Sequence, residues 1–188
     1  EVAENLKFNE AGLQEWFGDS ISSAGKILKI AQFKGGQSNP TYKITTEKQQ
    51  FVLRRKPPGI LLPSAHAVDR EYKVMTALQQ TEVPVPKTYG LCEDEDVIGT
   101  PFFVMDFLDG NIYWDLLLGN KSPAERSDIY ASKNNVIAQL HMVEYESVGL
   151  SDYGKPGNYI ARQVSRWTKQ YLASETQDIP AMNKLIDW

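Results

Sequence analysis

Three runs, 27–33 (ILKIAQF), 41–46 (TYKITT) and 50–55 (QFVLRR), follow one another with only short links between them. Their β-branched and aromatic content, bounded by turn residues, reads as three strands. The links are Lys34-Gly35-Gly36-Gln37-Ser38-Asn39-Pro40 and Glu47-Lys48-Gln49. Neither can hold a crossover helix, so neighbouring strands are expected to pair antiparallel. The loop Lys56-Pro57-Pro58-Gly59 then leads to a helix expected from a Ser64 cap to about Gln80, ended by Val83-Pro84-Val85-Pro86. Two more strands are predicted over 87–92 and 101–107, around the acidic turn Glu93-Asp94-Glu95-Asp96. Three strands, a helix and two strands make an α+β lobe rather than an alternating parallel one.

The flanks are helical. Residues 9–18 predict a short helix with Asn9 as its cap and Leu13, Trp16 and Phe17 on one face. Ser122-Pro123-Ala124-Glu125 has the form of a capping box with Pro at the first helical position. Ile129, Val136, Ile137 and Leu140 then line one helical face. Further helices are expected within 158–173 and near 180–188. Gly110 marks the expected lobe boundary. Residues 1–109 are expected to form an N-terminal helix and the sheet lobe, and 110–188 a helical region.

Composition removes several function classes. A net charge of −4 argues against a nucleic-acid binder, and Arg54-Arg55-Lys56 is the one tight basic run. No stretch approaches the ~18 apolar residues of a spanning helix, so no membrane partner is expected. The single Cys92 excludes an internal disulfide and fits a reducing compartment, the cytoplasm or, in a eukaryote, the mitochondrion or peroxisome. One Cys and two His make no zinc constellation. The N-terminus has no secretory character and no initiator Met, which suggests a chain cut from something longer.

The most telling single residue is Glu71. Val68, Tyr72, Met75 and Leu78 follow helical spacing, and Glu71 lies in or beside that apolar stripe. A carboxylate there calls for a positive partner. Arg54 and Arg55 on the adjacent strand offer one, and strand alternation allows only one of them to face the helix. The competing reading is a rim carboxylate that reaches water.

In this order and spacing the segments resemble the aminoglycoside phosphotransferase-like superfamily, a kinase-like family. They are similar above all to the phosphotransferase modules found alone in bacteria or fused to acyl-CoA dehydrogenase domains. The resemblance rests on Gly36-Gln37-Ser38-Asn39-Pro40-Thr41, Phe51-Val52-Leu53-Arg54-Arg55-Lys56-Pro57-Pro58-Gly59, Asp69-Arg70-Glu71-Tyr72 and Gly99-Thr100-Pro101-Phe102-Phe103-Val104-Met105. It continues through Ser122-Pro123-Ala124-Glu125-Arg126 and Arg162-Gln163-Val164-Ser165-Arg166-Trp167.

The resemblance implies a protein-kinase-like small lobe that binds ATP with Mg²⁺ and phosphorylates a hydroxyl of a small molecule. A hydroxyacyl-CoA-type metabolite fits the fused relatives, and a fused acyl-CoA dehydrogenase domain would lie in a longer protein. It places Arg54 where the superfamily usually has a Lys that pairs with the helix Glu and reaches ATP phosphates. Arg is not a neutral replacement there, because it is planar and binds carboxylates and phosphates bidentately. Gly35, Gly36, Gln37, Ser38 and Asn39 become the nucleotide-covering loop, whose alternative is a plain hairpin turn. Met105 would line the adenine pocket, with the Asp106 C=O and the Leu108 N–H as hinge groups. Asp106→Asn should then matter little. The alternative for that segment is an ordinary buried strand ending in an Asp-Gly turn.

Arg162 and Arg166 share a helical face and are candidates for binding an anionic substrate group, against a merely solubilising role. Asp152-Tyr153-Gly154 mimics a metal-binding Asp-Phe-Gly but follows no His-x-Asp loop, and reads as a turn. His141 and His66 read as local structural residues. The 188 residues hold no His-x-Asp-x-x-x-x-Asn run, so no catalytic residue is assigned and the metal ligands are expected outside the chain. On this reading the chain alone does not transfer phosphate. The rival class is a non-catalytic, pseudokinase-like nucleotide-binding module; a protein kinase is disfavoured because G-x-G-x-x-G is absent.

Overall fold

The computed structural model describes residues 2–34, 39–59, 66–155 and 157–188. Strands β1 (Ile27–Gln32), β2 (Thr41–Thr46), β3 (Gln50–Arg55), β4 (Thr88–Cys92) and β5 (Phe102–Asp106) form a five-stranded sheet in the order β1-β2-β3-β5-β4. Every neighbouring pair is antiparallel, and for β1–β2 and β2–β3 the short links require it.

Helix α1 (Glu10–Ser20) is capped by Asn9, whose side chain accepts from the Gly12 N–H. Its Leu13 and Phe17 meet Tyr42, Ile44, Phe51, Leu53, Phe102 and Val104 in one apolar cluster. Those strand residues alternate with Lys43, Val52, Arg54, Phe103 and Met105, which therefore face the other side of the sheet. Phe51 stands at the centre of this core, edge-on to Phe17 at 5.5 Å and to Tyr89 at 5.0 Å between ring centroids.

Helix α2 (Val68–Leu78) packs on β4 and β5, with Tyr72 against Phe103 at 6.0 Å. It starts later than the sequence suggests. Ala67 occupies the N-cap without a side-chain bond, and His66 before it has a positive φ of 58°, which no helical turn can hold. Ser64, the expected cap, lies outside the described residues.

The acidic turn also differs from expectation. It contains a one-turn helix, α3 (Glu95–Ile98), capped by the Asp94 carboxylate accepting from the Asp96 N–H and closed by Gly99 at φ 87°. Gly12 permits this helix to approach α1, because a Cβ there would lie 2.5 Å from the Val97 carbonyl oxygen.

Helix α4 (Pro123–His141) starts with the full capping box. Glu125 N–H donates to Ser122 Oγ, and Ser122 N–H donates to the Glu125 carboxylate. Helices α5 (Tyr159–Ser174) and α6 (Pro180–Asp187) follow. The chain forms two compact units, Glu1–Val148 and Gly149–Trp188. Asp152-Tyr153-Gly154 lies in a turn of the second. No helix among the described residues is long and apolar enough to cross a membrane.

Candidate functional site

The two arginines at the end of β3 have opposite fates, as strand alternation demands. Arg55 points into the α1 side and is 2% exposed. Its guanidinium donates to the carbonyls of Lys56 and Ile98 and lies over the Phe8 ring. Burial pulls its pKa down, with the neighbouring Tyr42 phenol acting in the opposite sense.

Arg54 points to the α2 side. Its Nε donates to Glu71 Oε2 at 2.5 Å and its second terminal nitrogen to Glu71 Oε1 at 3.2 Å, a bidentate grip. The pair is partly open to water, with side chains 28% and 38% exposed. The structure thus resolves the choice left open by the sequence, and Glu71 is neither an isolated rim carboxylate nor a partner of Arg55.

Further polar groups, only one of them part of the predicted loop, close this pair into a network. Arg54 also donates to Thr41 Oγ1 at 3.2 Å, and Thr41 lies directly opposite it in the β2–β3 register. Thr41 Oγ1 donates to the Asn39 carbonyl at 3.0 Å. Asn39, itself 3% exposed, donates from Nδ2 to Glu71 Oε1 at 3.2 Å. Its Oδ1 lies 2.7 Å from His66 Nδ1. Thr41 was recoverable from strand register; the His66 contact had no signal in the sequence. Gly35, Gly36, Gln37 and Ser38 lie outside the described residues.

One register row crosses the whole sheet beside this network: Ala31, Lys43, Val52, Met105 and Thr88. Met105 therefore shares the sheet face of Arg54. Asp106 ends β5, and its N–H donates to the Lys87 carbonyl at 2.8 Å. Its carboxylate is not idle: Tyr89 OH donates to Asp106 Oδ1 at 2.6 Å. Burial first, and this bond second, raise the Tyr89 pKa. Phe107 lies under the Lys43 ammonium at 3.7 Å from its ring centre and stacks on Phe33. Leu108 is 64% exposed.

In the second unit, Arg162 and Arg166 line one open depression with Asn158, Ser165 and Lys169. Arg162 is already engaged, donating to the Gly157 carbonyl and to the Lys155 carbonyl at 2.8 Å. Among the described residues no group of three or more His, Cys, Asp or Glu side chains gathers to hold a metal ion.

A five-stranded antiparallel sheet with a cation on β3 locked to a carboxylate on α2 defines a kinase-like phosphotransferase lobe. The phosphotransferase enzyme family matches residues 29–188, and the chain belongs to that family. It is 50% identical over 161 residues to acyl-CoA dehydrogenase family member 10 of Mus musculus, covering 86% of this chain and 15% of that protein. It is 46% identical over 192 residues to acyl-CoA dehydrogenase family member 11 of Homo sapiens, covering 100% of this chain and 25% of that protein. A crystal structure from Ralstonia eutropha, assigned as an aminoglycoside phosphotransferase, superposes with a TM-score of 0.79 at 50% identity. That match covers 97% of this chain and 53% of the other. The chain thus spans about a quarter or less of the two curated relatives and about half of the solved structure.

Proposed function

We infer that this chain grips ATP for a phosphotransferase whose acceptor is a hydroxyl on a small molecule. The observation that carries the reading is the bidentate Arg54–Glu71 pair between β3 and α2. A guanidinium has five N–H groups, and the bonds to Glu71 and Thr41 use three of them, so the remainder are offered to phosphate oxygens. Adenine would lie against Met105, with the backbone of Asp106 and Leu108 reading its edge. Residues 35–39 would cover the phosphates.

Phosphoryl transfer depends on positioning and on charge stabilisation. Within that division of labour, Arg54 stabilises phosphate charge, Glu71 fixes Arg54, and the hinge orients the base. Mg²⁺ would accompany the nucleotide phosphates. Among the described residues no group of three or more His, Cys, Asp or Glu side chains gathers to hold it. The 188 residues contain no His-x-Asp-x-x-x-x-Asn run, so they hold the donor and do not by themselves transfer phosphate. We take 1–109 as the nucleotide lobe and 110–188 as the start of the substrate lobe. Because Arg162 is committed to its own loop, Arg166 is the better candidate for an anionic substrate group.

The relatives named as acyl-CoA dehydrogenase family members favour a hydroxylated acyl-CoA as acceptor. The test is to incubate the full-length protein and ATP with hydroxylated acyl-CoAs and other hydroxylated metabolites, and to follow phosphorylated products by mass spectrometry. A phosphorylated hydroxyacyl-CoA is expected. ATP binding without any product would support the non-catalytic module instead.

A further inference from the structure

We propose that His66 and Asn39 are positioning residues for the phosphate grip, acting through Glu71 on Arg54. The inference rests on the nucleotide reading above; it gives His66 a role that reading does not require and gives the Asn39 side chain one beyond its place in the covering loop.

The argument follows from donor and acceptor chemistry. Glu71, gripped by Arg54 as a carboxylate, can only accept, so the Asn39 atom 3.2 Å from Glu71 Oε1 must be the amide nitrogen. That fixes the amide orientation and turns Asn39 Oδ1 toward His66 Nδ1 at 2.7 Å. An amide oxygen only accepts as well, so His66 must carry a proton on Nδ1. The bond then runs in one direction: His66 donates to Asn39, Asn39 donates to Glu71, and Arg54 donates to Glu71.

The Asn39 carbonyl receives Thr41 Oγ1, which itself accepts from Arg54, so the ring of bonds closes. Asn39 is the last of the loop residues proposed to cover the phosphates. The residue is 3% exposed, so a lost partner there leaves an unsatisfied polar atom. His66 holds a left-handed conformation, φ 58°, just before α2. This conformation is uncommon outside glycine, though histidine adopts it more readily than most residues, and the surroundings help to hold it. The hydrogen bond to Asn39 is one such support.

Three substitutions separate side chain from backbone. Gly tolerates the positive φ but has no donor; Asn tolerates it and places an N–H near the position of Nδ1; Ala at 39 removes the relay. Calorimetric titration of the intact chain with ATP and with adenosine reads the phosphate grip apart from the base site. His66→Gly and Asn39→Ala are expected to weaken ATP about tenfold, the loss of one hydrogen bond's worth of affinity, and to leave adenosine unchanged. His66→Asn should retain wild-type ATP affinity.

Imidazole ¹⁵N spectra of the wild type are expected to show a proton on Nδ1 of His66. An Nε2–H tautomer would overturn the relay without reference to any ligand. Equal losses for ATP and adenosine, or a His66→Asn variant as weak as His66→Gly, would also overturn it. A wild-type chain that binds neither ligand would instead refute the nucleotide reading, and the phosphate role with it, before any variant is compared.

Discussion

The sheet lobe and the later helices use apolar residues in different ways. Around the sheet, Leu13, Phe17, Tyr42, Ile44, Phe51, Leu53, Phe102 and Val104 are buried in one cluster. Helices α4, α5 and α6 bury no residue at all, although α5 carries Val164, Trp167 and Leu172 and α6 carries Leu185. Val164, Trp167, Tyr171, Met182, Leu185 and Trp188 instead line an open apolar cavity of about 530 Å³ within the second unit. Stability in this chain is therefore concentrated in the sheet lobe, where the candidate site is built. Helix α4 has a well-made start, whereas α5 and α6 lack a side-chain cap, and all three have little interior. A capping box and an amphipathic pattern specify where a helix starts and which face is apolar, yet most helical stability comes from packing that face.

The contrast breaks first on core truncation. Phe51→Ala should cost about 3–5 kcal/mol, because the ring touches two aromatic neighbours in a closed core. Trp167→Ala, at 62% exposure, should change stability by no more than about 0.5 kcal/mol. Urea unfolding of the two variants checks this, and comparable losses would erase the distinction between the regions.

A second, smaller effect concerns the ion pair. Glu71→Ala should cost about 1–2 kcal/mol, between the values for exposed and fully buried pairs, since water reaches both side chains. Arg54→Ala should cost a similar amount. A double-mutant cycle is expected to be non-additive; strict additivity would mean that the pair contributes nothing as a pair.

Tyr42 and Tyr89 have pKa values raised chiefly by burial, with Arg55 opposing at Tyr42 and the Asp106 bond reinforcing at Tyr89. A raised folded-state pKa contributes stability that is complete below the ordinary phenol value of about 10 and is lost as pH climbs through the folded value. Thermal unfolding should therefore show an alkaline decline, shallower in Tyr89→Phe. An unaltered decline in both Tyr42→Phe and Tyr89→Phe would remove the assignment.

The smallest effect belongs to the α4 cap. The backbone N–H of Ser122 first, and its hydroxyl second, hold the Glu125 pKa down. The cap's contribution is thus present above the ordinary Glu range and lost as pH falls through the depressed value. Helicity measured by circular dichroism should decline modestly in acid, and Glu125→Gln should lessen that decline. A larger acid loss in Glu125→Gln would contradict it.

Much of this was legible in the sequence, for identifiable reasons. Strands β1, β2 and β3 were readable because short links leave only antiparallel pairing, and the Asn9 and Ser122 caps because their side chains bond within one turn. The Arg54–Glu71 pair was half legible. Glu71 on an apolar stripe demanded a cation, but choosing Arg54 over Arg55 required knowing which face of β3 meets α2. The helix α3 was missed because four acidic residues suggest a solvated turn, while Asp94 as cap and Gly99 as terminator form a helix between them. The contacts of His66 with Asn39 and of Tyr89 with Asp106 join residues 27 and 17 positions apart, and no local pattern carries such pairings.

The claim on which the account depends is that ATP lies on the sheet face shared by Arg54 and Met105. Calorimetric titration of ATP into the intact chain and into Met105→Trp tests it most directly, with thermal unfolding to show that the variant is folded. The account predicts saturable one-to-one binding to the wild type and its loss in Met105→Trp, whose indole would fill the space beside Val52. Undiminished ATP affinity in a folded Met105→Trp would contradict it.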